Sequence, residues 1–270
     1  MTNRILPNGH AVLVNNAEWN GDSAFFMGAP SPSQEGFATF AGNNTLAGMT
    51  VDGPAGVPAY GGVSINPGVT LTVAGIHLRN GNLSVAERPT GALALTGTSL
   101  ISQHSTLTVT GYSGVGSVSL GGVMNIANST VNMDYVPVSG NGTFHLTGQN
   151  ALLRVGAVGA GDTVKLDGGM LSLVDGMRFL GTITDSTPRG SAISPAATVE
   201  VFNAGDAVRE VFNTTSGMLD LFNAQGAEVA NLHFAGGGAL FAEKTTGLPT
   251  NYVAITSHPS ANMLPVTFTH

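Results

Sequence analysis

The chain contains no cysteine among its 270 residues. This absence excludes disulfide bonds and metal sites built on thiolates, such as structural zinc sites. Charged residues make up only 9% of the chain, against about 25% in an ordinary globular domain. The polar residues are therefore mostly Asn, Ser and Thr, which favour turns and can stack in ladders without charge repulsion.

Basic residues are also scarce: Lys and Arg together number 9, and the formal net charge is −7. So few cations cannot form the basic patch that nucleic-acid binding requires, nor one that would hold an anionic membrane surface. The sequence also lacks the run of about 18 apolar residues that a membrane-spanning helix needs. We therefore expect neither nucleic acid nor a membrane span.

The N-terminal sequence lacks the apolar core of a usual cleavable signal peptide, because Pro7, Asn8 and Gly9 interrupt it. Three alternatives stay open for the location of the protein. A leader was removed before residue 1, or export uses a route that does not read the N-terminus, or the protein stays inside the cell.

Glycine is abundant, with 38 residues, and hydrophobic residues make up 42% of the chain. This apolar content is too high, and alternates too regularly, for a disordered chain. Segments of three to five residues in which apolar and polar side chains alternate fill residues 69–184. Each predicts a short strand with one buried face and one outward polar side chain.

The spacing of apolar residues in 69–184 indicates a repeat. Six residues mark it at intervals of twelve or twenty-four: Leu71, Leu83, Leu95, Leu107, Val131 and Val155. Two architectures fit short strands, namely a coil of stacked parallel strands and an antiparallel sandwich of hairpins. Tight hairpins favour Asn-Gly or Asp-Gly turns, and these dipeptides do not separate every pair of strands. The constant spacing therefore favours a coil whose six marked residues point inward.

The predicted fold class is all-β: a parallel β-solenoid, or β-helix, with an aromatic N-terminal cap and a C-terminal β-rich capping module. Residues 1–68 are assigned to the cap and a Pro/Gly-rich irregular segment, because proline blocks interior ladder positions. Residues 69–184 form the solenoid, 185–198 a linker, and 199–270 the C-terminal β module. The cap is placed around Trp19, since the first turn of a coil has no neighbour to cover it; an aromatic ligand platform is the alternative.

Three acids are the candidates for chemistry. Cleavage of a glycosidic bond needs two carboxyl groups about 5 to 9.5 Å apart. Asp162, Asp167 and Asp175 are the best candidates, because stacking could bring Asp167 and Asp175 close. Each of them lies beside glycine, which is the ordinary dipeptide of a turn. We therefore predict turn roles for these residues and no catalytic residue.

No other motif predicts a reaction or a cofactor. The 7 histidines are dispersed, and none belongs to a metal-binding pattern. His77 and His145 are each flanked by apolar residues, so we expect both to point outward. Residues 156–161 are rich in glycine, but no helix follows that could hold a phosphate group. We predict no metal and no cofactor.

Several segments look like the β-helical regions of large bacterial secreted proteins, including autotransporter passengers and filamentous-haemagglutinin-like adhesins. They are residues 143–150, 168–173 and 179–183. Residues 219–226, followed by 232–234 and 253–256, resemble the closing module of such proteins. The resemblance spans roughly residues 70–256. It implies surface attachment or matrix building, outside the cell or at the bacterial cell surface, and supplies no catalytic residues.

We therefore predict a non-enzymatic structural protein that is adhesive, or forms filaments or matrix, by head-to-tail assembly with itself. Open strand edges can pair with another chain, and a head-to-tail contact that does not close gives a filament. The predicted joints are Ala11–Val14 and residues 266–268. One alternative is a β-helix that binds or degrades a surface polysaccharide through Asp162, Asp167 or Asp175. The other is a capped monomer or an excised passenger fragment.

Overall fold

The structure is a computed structural model of the chain. It describes residues 2–27, 31–111, 116–185, 194, 196–235, 240–245, 252–257 and 264–265. Their regular secondary structure is nearly all β, with 62% strand and 4% helix, and the strands stack in parallel to form a β-solenoid of about 8 turns. The predicted fold class is confirmed.

The strands of the coil form three faces, and only some of the turns contribute a strand to face 3. Face 1 consists of β1 (Asn3–Leu6), β3 (Ser23–Met27), β6 (Gly48–Asp52), β9 (Ile76–Arg79), β12 (Thr98–Ser102), β15 (Val123–Ala127), β17 (Thr143–Thr147), β19 (Thr163–Leu166) and β21 (Thr182–Thr184). Face 2 consists of β2 (Ala11–Val14), β4 (Gly36–Phe40), β7 (Ala59–Ile65), β10 (Gly81–Glu87), β13 (Thr106–Gly111), β16 (Thr130–Gly140), β18 (Leu152–Val158), β20 (Gly169–Leu173) and β22 (Ala197–Val201). Face 3 consists of β5 (Asn44–Leu46), β8 (Thr70–Val73), β11 (Ala92–Leu95), β14 (Ser117–Leu120) and the C-terminal part of β16.

Inward-pointing apolar side chains form one continuous core along the coil. On face 2, Leu83 stacks on Leu107 and Leu107 on Val131, so a spacing of twenty-four is one full turn. A spacing of twelve leads from one face to another, because Leu71 and Leu95 lie on face 3. All six residues predicted to point inward are buried. That prediction is confirmed, and it follows from the alternation of each strand.

Parallel stacking also runs through residues that the sequence assigns to a cap and an irregular segment. Strands β1 to β7 lie in residues 1–68 and pair in parallel, so the expectation of an irregular segment there is corrected. Pro54, Pro58 and Pro67 fall between strands and interrupt no ladder. The coil tolerates them because a proline in a turn removes no interstrand hydrogen bond.

Trp19 closes the N-terminal end of the core. It is 4% exposed, and its ring meets the ring of Phe40 edge-on with centroids 5.8 Å apart. The side-chain oxygen of Asn44 accepts a hydrogen bond from the backbone N–H of Trp19 at 2.8 Å. This burial suits a cap and leaves no exposed ring face for a ligand platform.

Antiparallel strands cover the last turn of the coil. On face 1, β25 (Glu228–Phe234) pairs in parallel with β21, and β24 (Met218–Asn223) and β23 (Ala207–Asn213) follow in antiparallel order. On face 2, β27 (Tyr252–Thr256) pairs antiparallel with β22, followed by β26 (Phe241–Thr245) and β28 (Leu264–Pro265). Short 3-10 helices occur at Pro32–Gln34, Gly176–Arg178 and Phe202–Ala204.

Two predicted features fall wholly or partly outside the described residues. Residues 186–193 and 195 of the predicted linker lie outside them, while Ala197 already belongs to β22. The predicted C-terminal joint, residues 266–268, also lies outside them. In the part of the chain that the structure describes, no helix has the length and apolar character needed to cross a membrane.

Candidate functional site

The three candidate acids lie at different corners of the coil. Asp162 and Asp167 flank β19, so about 16 Å of extended chain separates them at about 3.3 Å per residue. Asp167 and Asp175 lie at opposite ends of β20 in the same turn. The expectation that stacking brings Asp167 and Asp175 together is therefore wrong, because stacking joins residues of successive turns. The strand between Asp162 and Asp167, and the strand between Asp167 and Asp175, both exceed the separation of about 5 to 9.5 Å that glycoside hydrolysis uses.

Asp167 belongs to a polar network on the outer surface of face 1. Its Oδ2 lies 2.6 Å from Nε2 of His145, and Nδ1 of His145 lies 3.3 Å from Oδ1 of Asn125. The His145 and Asp167 side chains are about three-quarters buried. Both ring nitrogens of His145 are thus engaged, which suits a side-chain ladder across neighbouring strands. His77, on β9 of the same face, is exposed as expected.

Asp162 is buried at the corner where the chain passes from face 3 to face 1. Its Oδ1 accepts a hydrogen bond from the backbone N–H of Gly142 at 3.0 Å, in the preceding turn of the coil. Among the described residues, its Oδ2 has no hydrogen-bond partner. Burial raises the pKa of Asp162, and the Gly142 N–H opposes this rise. The carboxyl group therefore ties two turns together from inside the protein.

Asp175 holds a turn on the surface. Its Oδ1 accepts hydrogen bonds from the backbone N–H of Met177 at 3.0 Å and from the side-chain amide of Asn203 at 2.8 Å. The amide oxygen of Asn203 in turn accepts from the N–H of Gly176 at 2.9 Å. This network begins the 3-10 helix Gly176–Arg178 and fixes Asp175 and Asn203 against each other.

A cleft of about 380 Å³ opens at the corner between faces 2 and 3. Asp175 and Asn203 line it, together with residues of two earlier turns and of the 3-10 helix. The other polar or aromatic lining residues are Asp134, Tyr135 and Arg178. The structure thus brings Asp175 into one cleft with Asp134, which lies two turns earlier on β16 and which no sequence motif marks.

A β-bulge creates this cleft. The pairing of β16 with β18 shifts its register between Met133 and Pro137, and bulges commonly redirect side chains beside binding sites. In β18, Gly156 lies against the bulge, where an added Cβ would come within 2.1 Å of the carbonyl oxygen of Asp134. The bulge is legible in the sequence, because the inward side chains change from Met133 to Val136 and so break the alternation.

Asp134 is the most unusual polar group of the cleft. Its side chain is 6% exposed, and its Oδ2 lies 2.9 Å from Nε of Arg154. That contact is an ion pair without an aligned N–H, and Oδ1 has no hydrogen-bond partner among the described residues. Burial raises the pKa of Asp134, and the charge of Arg154 opposes this rise. A buried oxygen without a donor is rare in folded proteins.

A second buried acid, Glu87, lies at an earlier turn of the same corner. It is 1% exposed and borders a cavity of about 550 Å³ lined mainly by apolar groups of Pro67, Ala86 and Pro89. Burial raises the pKa of Glu87 to about 8, and the backbone N–H groups of Leu93 and Ser117 oppose this. Neither N–H makes a hydrogen bond of good geometry with it. Residues 112–115, which follow the lining residue Gly111 in the chain, lie outside the described residues, and we assign no function to the cavity.

Comparison of the chain with models of known protein families and with curated protein sequences finds no match. Within the described ranges, no three His, Asp or Glu side chains are placed so that they could hold a metal ion. Function must therefore be inferred from the chain's own residues and their geometry.

Proposed function

We propose that this protein is a non-enzymatic structural protein, extracellular or at the bacterial cell surface, whose molecules join head to tail into filaments or matrix. The observation that carries this proposal lies at the two ends of face 1. Among the described residues, β1 pairs only with β3, and β23 pairs only with β24. Each strand leaves one edge without a strand partner, and such edges can pair with another chain.

The direction of the two edge strands fits a head-to-tail contact. Face 1 is parallel from β1 to β21, and β25 continues it in parallel. The chain reverses at β24 and again at β23, so β23 runs in the same direction as β1. Pairing of β23 in one molecule with β1 in the next would therefore continue face 1 as a parallel sheet. A contact between two different surfaces that does not close into a ring produces a filament.

Each edge strand carries an exposed apolar side chain, although β23 also contains Arg209 and Glu210. Ile5 on β1 is 62% exposed and Val208 on β23 is 63% exposed. The one charged residue of β1 is Arg4, whose Nε forms an ion pair with Oδ2 of Asp22 at 2.8 Å. No unpaired charge on β1 therefore opposes pairing with another strand. Monomeric proteins commonly protect edge strands with lysine or proline. The resemblance to secreted adhesins and the low charge of the chain support an extracellular location and an adhesive or biofilm-matrix role.

Lysine at either edge should abolish assembly. We expect the unaltered protein to form filaments by electron microscopy, and Ile5→Lys and Val208→Lys each to reduce the scattering mass to that of the 27.3 kDa monomer. The reason is that a lysine on an edge strand opposes the approach of a second apolar strand. The matched control is Leu100→Lys, because Leu100 is 41% exposed on β12 in the middle of face 1; it should assemble normally. Unaltered protein that stays monomeric at high concentration would refute the proposal.

The competing function is degradation of a polysaccharide. The separation of Asp162, Asp167 and Asp175 gives it no support, but it is simple to test against acidic and neutral polysaccharides. Cleavage that is lost on Asp167→Asn would overturn the non-enzymatic proposal. We expect no cleavage by the unaltered protein or by Asp167→Asn.

A further inference from the structure

The cleft between faces 2 and 3 is separate from the edges used in assembly. Its lining comes from β16, β18 and the segments that follow β20 and β22. These four strands are successive neighbours on face 2. Neighbouring strands lie about 4.8 Å apart, so the cleft extends about 14 Å along the coil axis. An elongated ligand lying parallel to the axis would contact several turns at once.

The buried oxygen of Asp134 calls for a hydrogen-bond donor from outside the chain. Its Oδ1 has no partner among the described residues, while Oδ2 faces Arg154. Folded proteins rarely leave such an oxygen unpaired, and an exception points to a missing partner. Asp134 borders the cleft, so a small rotation of its side chain would bring this oxygen within reach of a hydroxyl group of a bound ligand.

The charges around the cleft favour a neutral ligand. Asp134 and Asp175 carry the negative charges, while Arg178 in the lining and Arg154 against Asp134 carry the positive ones. The two signs balance, so the cleft offers no net attraction to an anion or to a polycation. Asn203 adds an amide group at the exposed rim.

Tyr135 gives the cleft an apolar surface. Its side chain lies at the bulge of β16 and is 68% exposed. An exposed aromatic ring beside polar groups suits a ligand that has both hydroxyl groups and apolar C–H faces. We propose that this cleft binds a neutral saccharide chain, with a ligand hydroxyl group donating to Asp134 and a sugar ring packing on Tyr135.

Affinity electrophoresis in gels containing dextran, galactan or xylan tests this proposal, with alginate as an anionic probe and polylysine as a cationic one. We expect one or more of the three neutral polysaccharides to retard the protein. We expect neither charged polymer to cause a retardation that depends on Tyr135. Tyr135→Ala and Asp134→Asn should each weaken the neutral interaction about tenfold, because each removes a central contact. Circular dichroism establishes that both variants remain folded.

The matched control is Leu180→Ala. Leu180 is 63% exposed and follows the 3-10 helix of the same turn, but lies outside the cleft; its removal should leave the retardation unchanged. Absence of retardation by all three neutral polysaccharides would overturn the proposal, as would equal binding by Tyr135→Ala. Binding of alginate or polylysine that Tyr135→Ala abolishes would also overturn it, since the ligand would then be charged. All three variants should still form filaments, so the outcome is independent of the edge contacts.

Discussion

Leu107→Asp should destroy the cooperative fold of the central coil. Leu107 is fully buried and stacks between Leu83 and Val131. A carboxylate at this place would be surrounded by apolar side chains, and burial of an unpaired charge is far more costly than burial of an unpaired polar group. The whole free energy of unfolding of a domain is about 5 to 15 kcal/mol. We expect the strand signal in circular dichroism to fall and the thermal transition of the intact coil to disappear.

Leu100→Asp is the control for this experiment. Leu100 lies one strand away on face 1, but its side chain points outward and is 41% exposed. A change at such a surface position usually alters stability by about 0.5 kcal/mol or less. Because each turn of a solenoid contacts only its neighbours, Leu107→Asp can leave the C-terminal turns partly folded. An unchanged melting temperature for Leu107→Asp would contradict the assignment of this column to the core.

Glu87→Gln should make the protein markedly more stable at alkaline pH. The Glu87 carboxyl group is 1% exposed, and burial raises its pKa to about 8 from an ordinary value of 4.5. The folded protein therefore keeps this proton over a pH range in which the unfolded chain has lost it. Its contribution to stability is complete below about pH 4.5 and is lost as the pH rises through about 8. The difference between the two pKa values corresponds to a loss on the order of 5 kcal/mol in the free energy of unfolding.

Urea denaturation at pH 5, 7 and 9 measures this effect. Gln has the shape of Glu without the charge, so Glu87→Gln should lose the decline between pH 5 and 9 that Glu87 causes. Burial also raises the pKa of Asp134, Asp162 and Glu200, so some decline should persist in the variant. The control is Glu228→Gln, because Glu228 is exposed on β25. Equal pH dependence in the native protein and Glu87→Gln would show that Glu87 is ionised without penalty in the fold.

The sequence by itself determined the strands and the direction of their side chains. Alternation of apolar and polar residues is local, so it reports which side of a strand is buried without knowledge of any other strand. The spacing of Leu83, Leu107 and Val131 also indicated the coil, because here each turn has the same length. The absence of cysteine and the scarcity of charge depend on no contact at all.

Only the tertiary structure decided which residues of different turns meet. Turn length varies along the coil, since Leu171 stacks on Leu153 at a shorter interval than Leu107 on Leu83. A prediction from equal spacing therefore could not show that Asp175 and Asp134 share one cleft, or that Asp167 and Asp175 lie apart. The same prediction did not include the turns in residues 1–68, where proline lies in the loops between strands. Loop length and bulges set the stacking register; a break in alternation marks where a bulge lies, but which residues of neighbouring turns then meet is decided by packing between the turns.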